Sequence, residues 1–156
     1  MPDLGRKPDR LQCSQGFKFP KSARILRSED FGVVLRSPSP GLAFRREIIT
    51  LCARVTKEVG QVRIGLTVGK KNVPRAVDRV LTKRIMRENV RTALPSLREE
   101  CLRGNFGLQV SLRVRAPIRC TGANRGLSSE KIRIHKSTQA CISSLIQKIR
   151  RIPREE

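Results

Sequence analysis

The chain has 156 residues, and its 34 Lys and Arg outnumber its 13 Asp and Glu to give a formal net charge of +21 at pH 7. This length fits one domain, and 44 positions are Leu, Ile, Val or Phe, which is above the roughly 20% below which a highly charged chain is usually disordered. We therefore expect a folded domain whose excess charge suits a polyanionic partner.

Composition argues against several classes of protein. Arg or Lys interrupts every apolar run before the ~18 residues that a membrane span needs, and the N-terminus lacks an apolar segment of signal-peptide length. Five scattered cysteines and the single histidine, His135, give no zinc-ligand spacing. We predict a cytoplasmic protein with reduced thiols, no metal site, no membrane contact and no small-molecule substrate. Cys52 and Cys141 are expected to be small core residues.

The chain divides into an arm, one domain and a tail. Residues 1–21 are basic and polar, contain three prolines and show little periodicity, so we expect a flexible arm. A single RNA-binding domain is predicted over 22–152, and a short tail over 153–156. The first helix begins at about Ser28, and the Ser-Pro-Ser-Pro-Gly segment at 37–41 ends it.

Strand and helix patterns alternate along the domain. Arg46 to Val55 is rich in β-formers, and Val62–Val68 and Phe106–Ala116 alternate apolar with polar residues. A long helix is predicted from Arg75 to Leu94, where Pro95 stops it. A closing helix follows Ser128, with a core stripe of Cys141, Leu145, Ile149 and Ile142. The order is typical of an α+β domain with helices on one face of a small sheet, so that the other face is left available.

The long helix carries a repeated positive charge. Arg79, Lys83, Arg87 and Arg91 recur every four residues and therefore form one stripe, which Arg84 borders. From residue 63 to 91 the net charge is +7. Like charges four residues apart destabilise an isolated helix, and their spacing of ~6 Å per turn is similar to that of phosphates along a nucleic-acid backbone. This pattern predicts contact with nucleic acid.

Catalytic groups are scarce. His135 lies among Lys131, Arg133 and Lys136, whose charges disfavour the imidazolium that a general base must form. Asp78 and Glu88 are ten residues apart within a basic segment, which suits ion pairing better than a paired-carboxylate metal site. The sequence therefore argues against an autonomous enzyme and gives no catalytic residue.

The segment over residues 63–75 reads Arg-Ile-Gly-Leu-Thr-Val-Gly-Lys-Lys-Asn-Val-Pro-Arg and runs into a helix containing Arg79, Lys83, Arg84 and Arg87. With Leu-Arg-Ser-Glu-Asp-Phe at 26–31, it resembles the bacterial ribonuclease P protein component. The family usually carries Asn and Arg where this chain has Val80 and Leu81. At these two positions the helix therefore lacks the hydrogen-bond donors that Asn and Arg would provide.

The resemblance implies a small α/β sandwich with a mixed sheet of about four strands, in the order α-β-β-β-α-β-α, and a left-handed crossover. It further implies the protein subunit of an endoribonuclease in which a catalytic RNA, requiring Mg²⁺, removes the 5′ leader of precursor tRNA. The protein itself would bind no cofactor. The residues toward the catalytic RNA would be Lys70, Lys71, Arg75, Arg79, Lys83, Arg84, Arg87 and Arg91. The residues toward the leader would be Phe31, Arg63 and Thr67.

Two alternatives from other classes remain open at this point. A structural rRNA-binding protein of the ribosome, without processing activity, fits the charge and the fold class equally well. An autonomous metal-dependent nuclease would need Asp78 or Glu88 and would cut RNA without any RNA partner.

Overall fold

The computed structural model describes residues 19–118 and 127–153, and side chains of the closing helix from Glu130 onward. Most of the predicted arm, the segment 119–126 and the last three residues lie outside the described part. Phe19 is buried in the core, and a short 3-10 helix follows at Lys21–Ala23.

The described chain forms three α-helices and one four-stranded sheet, which confirms the α+β class and the order α-β-β-β-α-β-α. No helix in the described residues is long and apolar enough to cross a membrane. The elements are α1 (Ser28–Arg36), β1 (Ala43–Arg46), β2 (Ile49–Thr56), β3 (Val62–Thr67), α2 (Ala76–Gly104), β4 (Gly107–Val114) and α3 (Leu127–Ile149).

The sheet is mixed and has the strand order β1-β2-β4-β3. β2 pairs antiparallel with both β1 and β4, whereas β3 and β4 are parallel. Parallel neighbours need a crossover connection, and α2 supplies it. The left-handed sense of this crossover stays a prediction from the family resemblance.

The predicted strand from Arg46 to Val55 in fact contains the last residue of β1, a tight turn and most of β2. Arg46 ends β1 and pairs with Ile49, the first residue of β2, so Glu47 and Ile48 form the turn. Glu47 has a left-handed backbone with φ of 43°. Its carbonyl accepts a bond from Arg115 Nε at 2.9 Å, and the Ile48 carbonyl accepts one from the Arg115 backbone N–H at 2.8 Å. The β-forming Ile48 side chain is fully buried and anchors this turn to the core.

The prediction that Pro95 ends the long helix is wrong, because α2 continues to Gly104. Leu94, Leu97 and Cys101 are all buried, so the apolar stripe runs past the proline, whose own side chain is exposed. A proline inside a helix costs about 3 kcal/mol, and burying a leucine contributes about as much. Packing of the last turns therefore outweighs the break.

The main core lies between the sheet and the helices α2 and α3. Leu108, Val110, Leu112 and Val114 of β4 are each at most 1% exposed, which confirms the predicted alternation. Cys141, Leu145, Ile149 and Ile142 of α3 are buried as predicted. The two helices are also joined by Glu100, which is 6% exposed and accepts a bond from Arg150 Nε at 2.7 Å.

The continuation of α2 through Pro95 predicts a gain in stability on replacing this residue. Pro95→Ala supplies the missing N–H and removes the clash of the ring with the preceding turn. Part of this stabilisation is offset because the unfolded chain gains conformational freedom without proline. The free energy of unfolding should therefore rise by about 1–2 kcal/mol. Urea unfolding under reducing conditions, followed by circular dichroism, measures this change. Ser96→Ala, at the exposed neighbouring position, is the control. A loss of stability for Pro95→Ala beyond that of the control would contradict a continuous helix.

Candidate RNA-binding surfaces

The first candidate surface is the basic stripe of α2: Arg79, Lys83, Arg87 and Arg91. Asp78, Thr82, Met86 and Val90 are buried on the core-facing side of this helix. Each stripe residue follows one of these by a single position, so the stripe lies about 100° around the helix from the core contacts. Lys83 is half-buried, whereas Arg84 and Arg87 are exposed.

The two ends of the stripe are engaged within the protein. Arg79 Nη1 donates to the carbonyls of Val73 and Pro74 at 3.0 and 2.7 Å, so this side chain closes the loop before the helix. Arg91 forms an ion pair with Glu88, and the hydrogen bond from Arg91 lowers the pKa of the Glu88 carboxyl. Between these ends, Lys83, Arg84 and Arg87 form no ion pair with any described residue. The middle of the stripe therefore offers the most available positive charge.

The loop between β3 and α2 presents two more lysines. Lys70 and Lys71 lie in an exposed turn. Asn72 anchors this turn to the end of β4, because its Nδ2 donates to the Val114 carbonyl at 3.1 Å and its own carbonyl accepts from the Ile118 N–H at 3.1 Å. Val73 is fully buried. The loop is thus fixed on its inner side, while the lysines and the exposed Arg75 face outward beside the start of α2.

The second candidate surface is the open face of the sheet, which carries polar side chains in matched positions on three strands. Arg63 of β3 is level with Gln109 of β4, and Gln109 is level with Arg54 of β2. Four residues further along β3, Thr67 is level with Arg113. Arg54, Arg63 and Arg113 therefore lie on the same face as Gln109.

Helix α1 lies over the middle of this face, so the expectation that the helices share one face of the sheet and leave the other available is wrong. The Phe31 ring packs on Gly65, where an added Cβ would lie 2.2 Å from the ring, and Val34 is fully buried. Gly65 lies midway between Arg63 and Thr67, which are about 13 Å apart along the strand. The structure thus brings the three predicted leader residues to one face, with Phe31 between the other two.

A cleft of about 470 Å³ opens beside the start of α1. Arg24 is fixed at this cleft, since its Nε and Nη2 donate to the Phe19 carbonyl at 3.2 and 2.8 Å and its guanidinium stacks over the Phe19 ring. The cleft is mostly basic and polar, and its lining consists of Lys21, Ser22, Arg24, Ile25, Leu26, Arg27, Asp30, Arg63 and Gln109.

Sequence reasoning missed most of this lining. The alternation of β4 places Gln109 and Arg113 on its polar side. The register that sets Gln109 between Arg54 and Arg63 depends on how distant strands pair, which the local pattern does not show. The positive charge of Lys21, Arg24 and Arg27 showed in the composition, yet no periodicity marked these residues as neighbours of β3.

The two carboxylates that an autonomous nuclease would need, Asp78 and Glu88, lie in different environments. Within 19–118 and 127–153, no group of three His, Cys, Asp or Glu side chains could hold a metal ion. Asp78 is buried in the first turn of α2, while Glu88 pairs with Arg91. The arrangement suits the binding of a polyanion at two surfaces.

Comparison with known proteins identifies the family. The family model described as Ribonuclease P matches residues 19–135. The chain belongs to this family. The resemblance based on the segment 63–75 is thereby confirmed.

Similar proteins carry the same description. The chain is 43% identical over 75 residues to the ribonuclease P protein component of Saccharophagus degradans, covering 48% of this chain and 53% of that protein. It is 40% identical over 82 residues to that of Yersinia pestis, covering 51% and 66%. These matches span about half to two thirds of the relatives' length.

A solved structure shares the fold. The ribonuclease P protein of Staphylococcus aureus superposes with a TM-score of 0.57 at 19% identity, covering 85% of this chain and 98% of that one. At this identity the match supports the α+β architecture.

The contact of Phe31 with Gly65 predicts a coupled effect on stability. Gly65→Ala places a Cβ against the ring and should lower the free energy of unfolding by about 1–3 kcal/mol. Phe31→Leu in the same chain relieves the overlap, so the double variant should recover at least about 0.5 kcal/mol relative to additivity.

Gly69→Ala is the matched control for this pair, because a Cβ there meets no atom within 4 Å. Urea unfolding of the unmodified protein, the two single variants and the double variant gives the coupling energy. Strict additivity of Gly65→Ala and Phe31→Leu would show that α1 does not rest on β3 in this way.

Proposed function

We propose that this chain is the protein subunit of ribonuclease P, which binds a catalytic RNA and the 5′ leader of precursor tRNA and so promotes maturation of the tRNA 5′ end. The observation that carries the proposal is the presence of two separate basic surfaces, the stripe on α2 and the open sheet face, on one small domain of this family. A single surface would suffice to bind one RNA. Two surfaces can hold a catalyst and its substrate together.

The catalytic RNA is assigned to α2 and the preceding loop. Lys83, Arg84 and Arg87 are the main contacts, since no described acidic residue neutralises them. Lys70 and Lys71 extend this surface on the anchored turn. Arg79 contributes by fixing the loop to the helix, and Arg91 is partly neutralised by Glu88. Arg75 stands at the junction of loop and helix.

The leader is assigned to the open sheet face and its cleft. A single strand exposes its bases and can lie along a sheet, whereas side chains cannot enter the deep major groove of an RNA duplex. Arg63 and Thr67 provide polar contacts on both sides of Phe31, and the cleft of about 470 Å³ beside Arg63 adds further basic and polar groups. Positive charge on this face would also reduce repulsion between the two RNAs.

Chemistry is assigned to the RNA partner. Mg²⁺ would be bound by that RNA, as the family resemblance implies. The protein's part is to bind, to orient the leader and to screen phosphate charge.

Reconstitution tests this proposal directly. Precursor tRNA is incubated at low Mg²⁺ with the catalytic RNA of the same organism, with and without the protein, and the released leader is measured. We expect the protein to stimulate cleavage and to be inactive alone. Folded protein that gives no stimulation, and that is recovered from cells with ribosomal particles, would instead establish a structural rRNA-binding role.

The basic stripe predicts a change in salt dependence. Lys83→Ala and Arg87→Ala should each reduce the slope of log affinity against log salt for the catalytic RNA by about one, because each removes one phosphate contact. Filter binding over a series of salt concentrations measures the slope. Lys148→Ala is the control, since it removes one positive charge from α3, where the side chain lies against Gly41. Equal slopes for the unmodified protein and the three variants would show that the stripe does not belong to the docking surface.

The sheet face predicts an effect that depends on the leader. Arg63→Met keeps much of the aliphatic stem and removes the charge, so affinity for precursor tRNA should fall about fivefold or more in the presence of the catalytic RNA. Affinity for mature tRNA, which has no leader, should be unchanged. Equal losses for both ligands would place Arg63 outside the leader contact.

A further inference from the structure

Beside the basic stripe, α2 carries an apolar surface that the fold does not require. Val77 and Val80 are 67% and 60% exposed, and Leu81 is half-buried against the core. Together with Ala76 and Arg84 they line a shallow groove of about 410 Å³, here called the aliphatic groove. Residues 77, 80, 81 and 84 have the spacing of one helical face.

Neither packing nor helix propensity accounts for the two valines. Their side chains lie mostly in solvent, so the core gains little from them, and β-branched residues are weaker helix formers than alanine. Leu81 differs, because it also packs against the core. An exposed apolar cluster edged by charge is typical of a contact site.

The positive charge of the chain indicates which partner the aliphatic groove binds. A second copy of this chain would bring two basic stripes and two charges of +21 into one interface, which is unfavourable. A polyanion is favoured instead, because Arg84 lines the groove and also borders the stripe that we assign to the catalytic RNA. An RNA held at Lys83 and Arg87 passes within one helical turn of Val80.

We infer that the aliphatic groove packs against unstacked nucleobases of the catalytic RNA. This inference rests on the proposed function and extends it, since it assigns part of the docking surface to base contact as well as phosphate contact. Within a paired A-form helix the bases are stacked and the major groove is closed to side chains. The aliphatic groove should therefore bind a bulge, loop or junction of the RNA, where a base is free to leave the stack.

Such a contact has a distinct signature. It removes apolar surface from water and displaces no counterions, so it should add affinity without adding to the salt slope. This separates it from the contribution of Lys83 and Arg87, each of which changes the slope.

The test is the double variant Val77→Thr/Val80→Thr. Threonine has the shape of valine but places a hydroxyl in the contact, and both sites are exposed, so folding should be unaffected. Affinity for the catalytic RNA of the same organism should fall about tenfold with an unchanged salt slope. Affinity for a fully paired RNA duplex should not change. Val59→Thr, at an exposed turn position (49%) outside α2, is the matched control.

Two outcomes would overturn the inference. One is an unchanged affinity of the folded double variant for the catalytic RNA while Lys83→Ala still lowers the slope, which leaves the proposed function intact. The other is an equal loss of affinity for the paired duplex, which would show that no base contact is involved. Absence of RNA binding by the unmodified protein would count against the proposed function itself.

Discussion

The parallel pairing of β3 with β4 is the constraint on which the rest of this structure depends. Parallel neighbours cannot be joined by a tight turn, so the chain must return from the end of β3 to the start of β4 through a long connection. The 29 residues of α2 span about 43 Å, roughly twice the length of the six-residue β3. The same pairing places Arg63 level with Gln109. Both candidate surfaces therefore follow from one strand pair.

Because α2 is longer than β3, the helix has two parts with different contacts. Its first turns carry Lys83, Arg84 and Arg87 beside the basic loop. Its last turns, beyond Pro95, pack against α3 and hold Glu100 in contact with Arg150. Repulsion within the first part costs a few tenths of a kcal/mol per like-charged pair, which burial along the second part readily offsets. One helix thereby combines an electrostatically strained surface with a stable core contact.

Sequence reasoning predicted what depends on local patterns. The alternation from Phe106 to Ala116 gave β4 and its buried face, and the four-residue repeat gave the basic stripe. Local rules failed where long-range packing decides: the burial of Leu97 and Cys101 carries α2 past Pro95, and the bonds from Arg115 stabilise the turn at Glu47. The cleft was not predictable, because its walls come from residues 21–30, β3 and β4, whose proximity is a result of tertiary structure.

The cysteines show the same division between local and long-range effects. Cys141 is buried as predicted, but Cys52 lies half-buried on the open sheet face, level with Ser111. Burial raises the pKa of the Cys101 and Cys141 thiols to about 12 and about 11, so both stay protonated at neutral pH and react slowly. Burial also raises the pKa of the Cys52 thiol, against the nearby charge of Arg45.

Cys52 therefore has a consequence for chemical labelling. An alkylating reagent can reach this sulfur only across the face on which α1 rests and to which the leader is assigned. Its modification rate, followed by mass spectrometry of the Cys52 peptide, reports whether that face is open or covered. The protein thus carries a natural footprinting probe on its sheet, so no cysteine has to be introduced into this face.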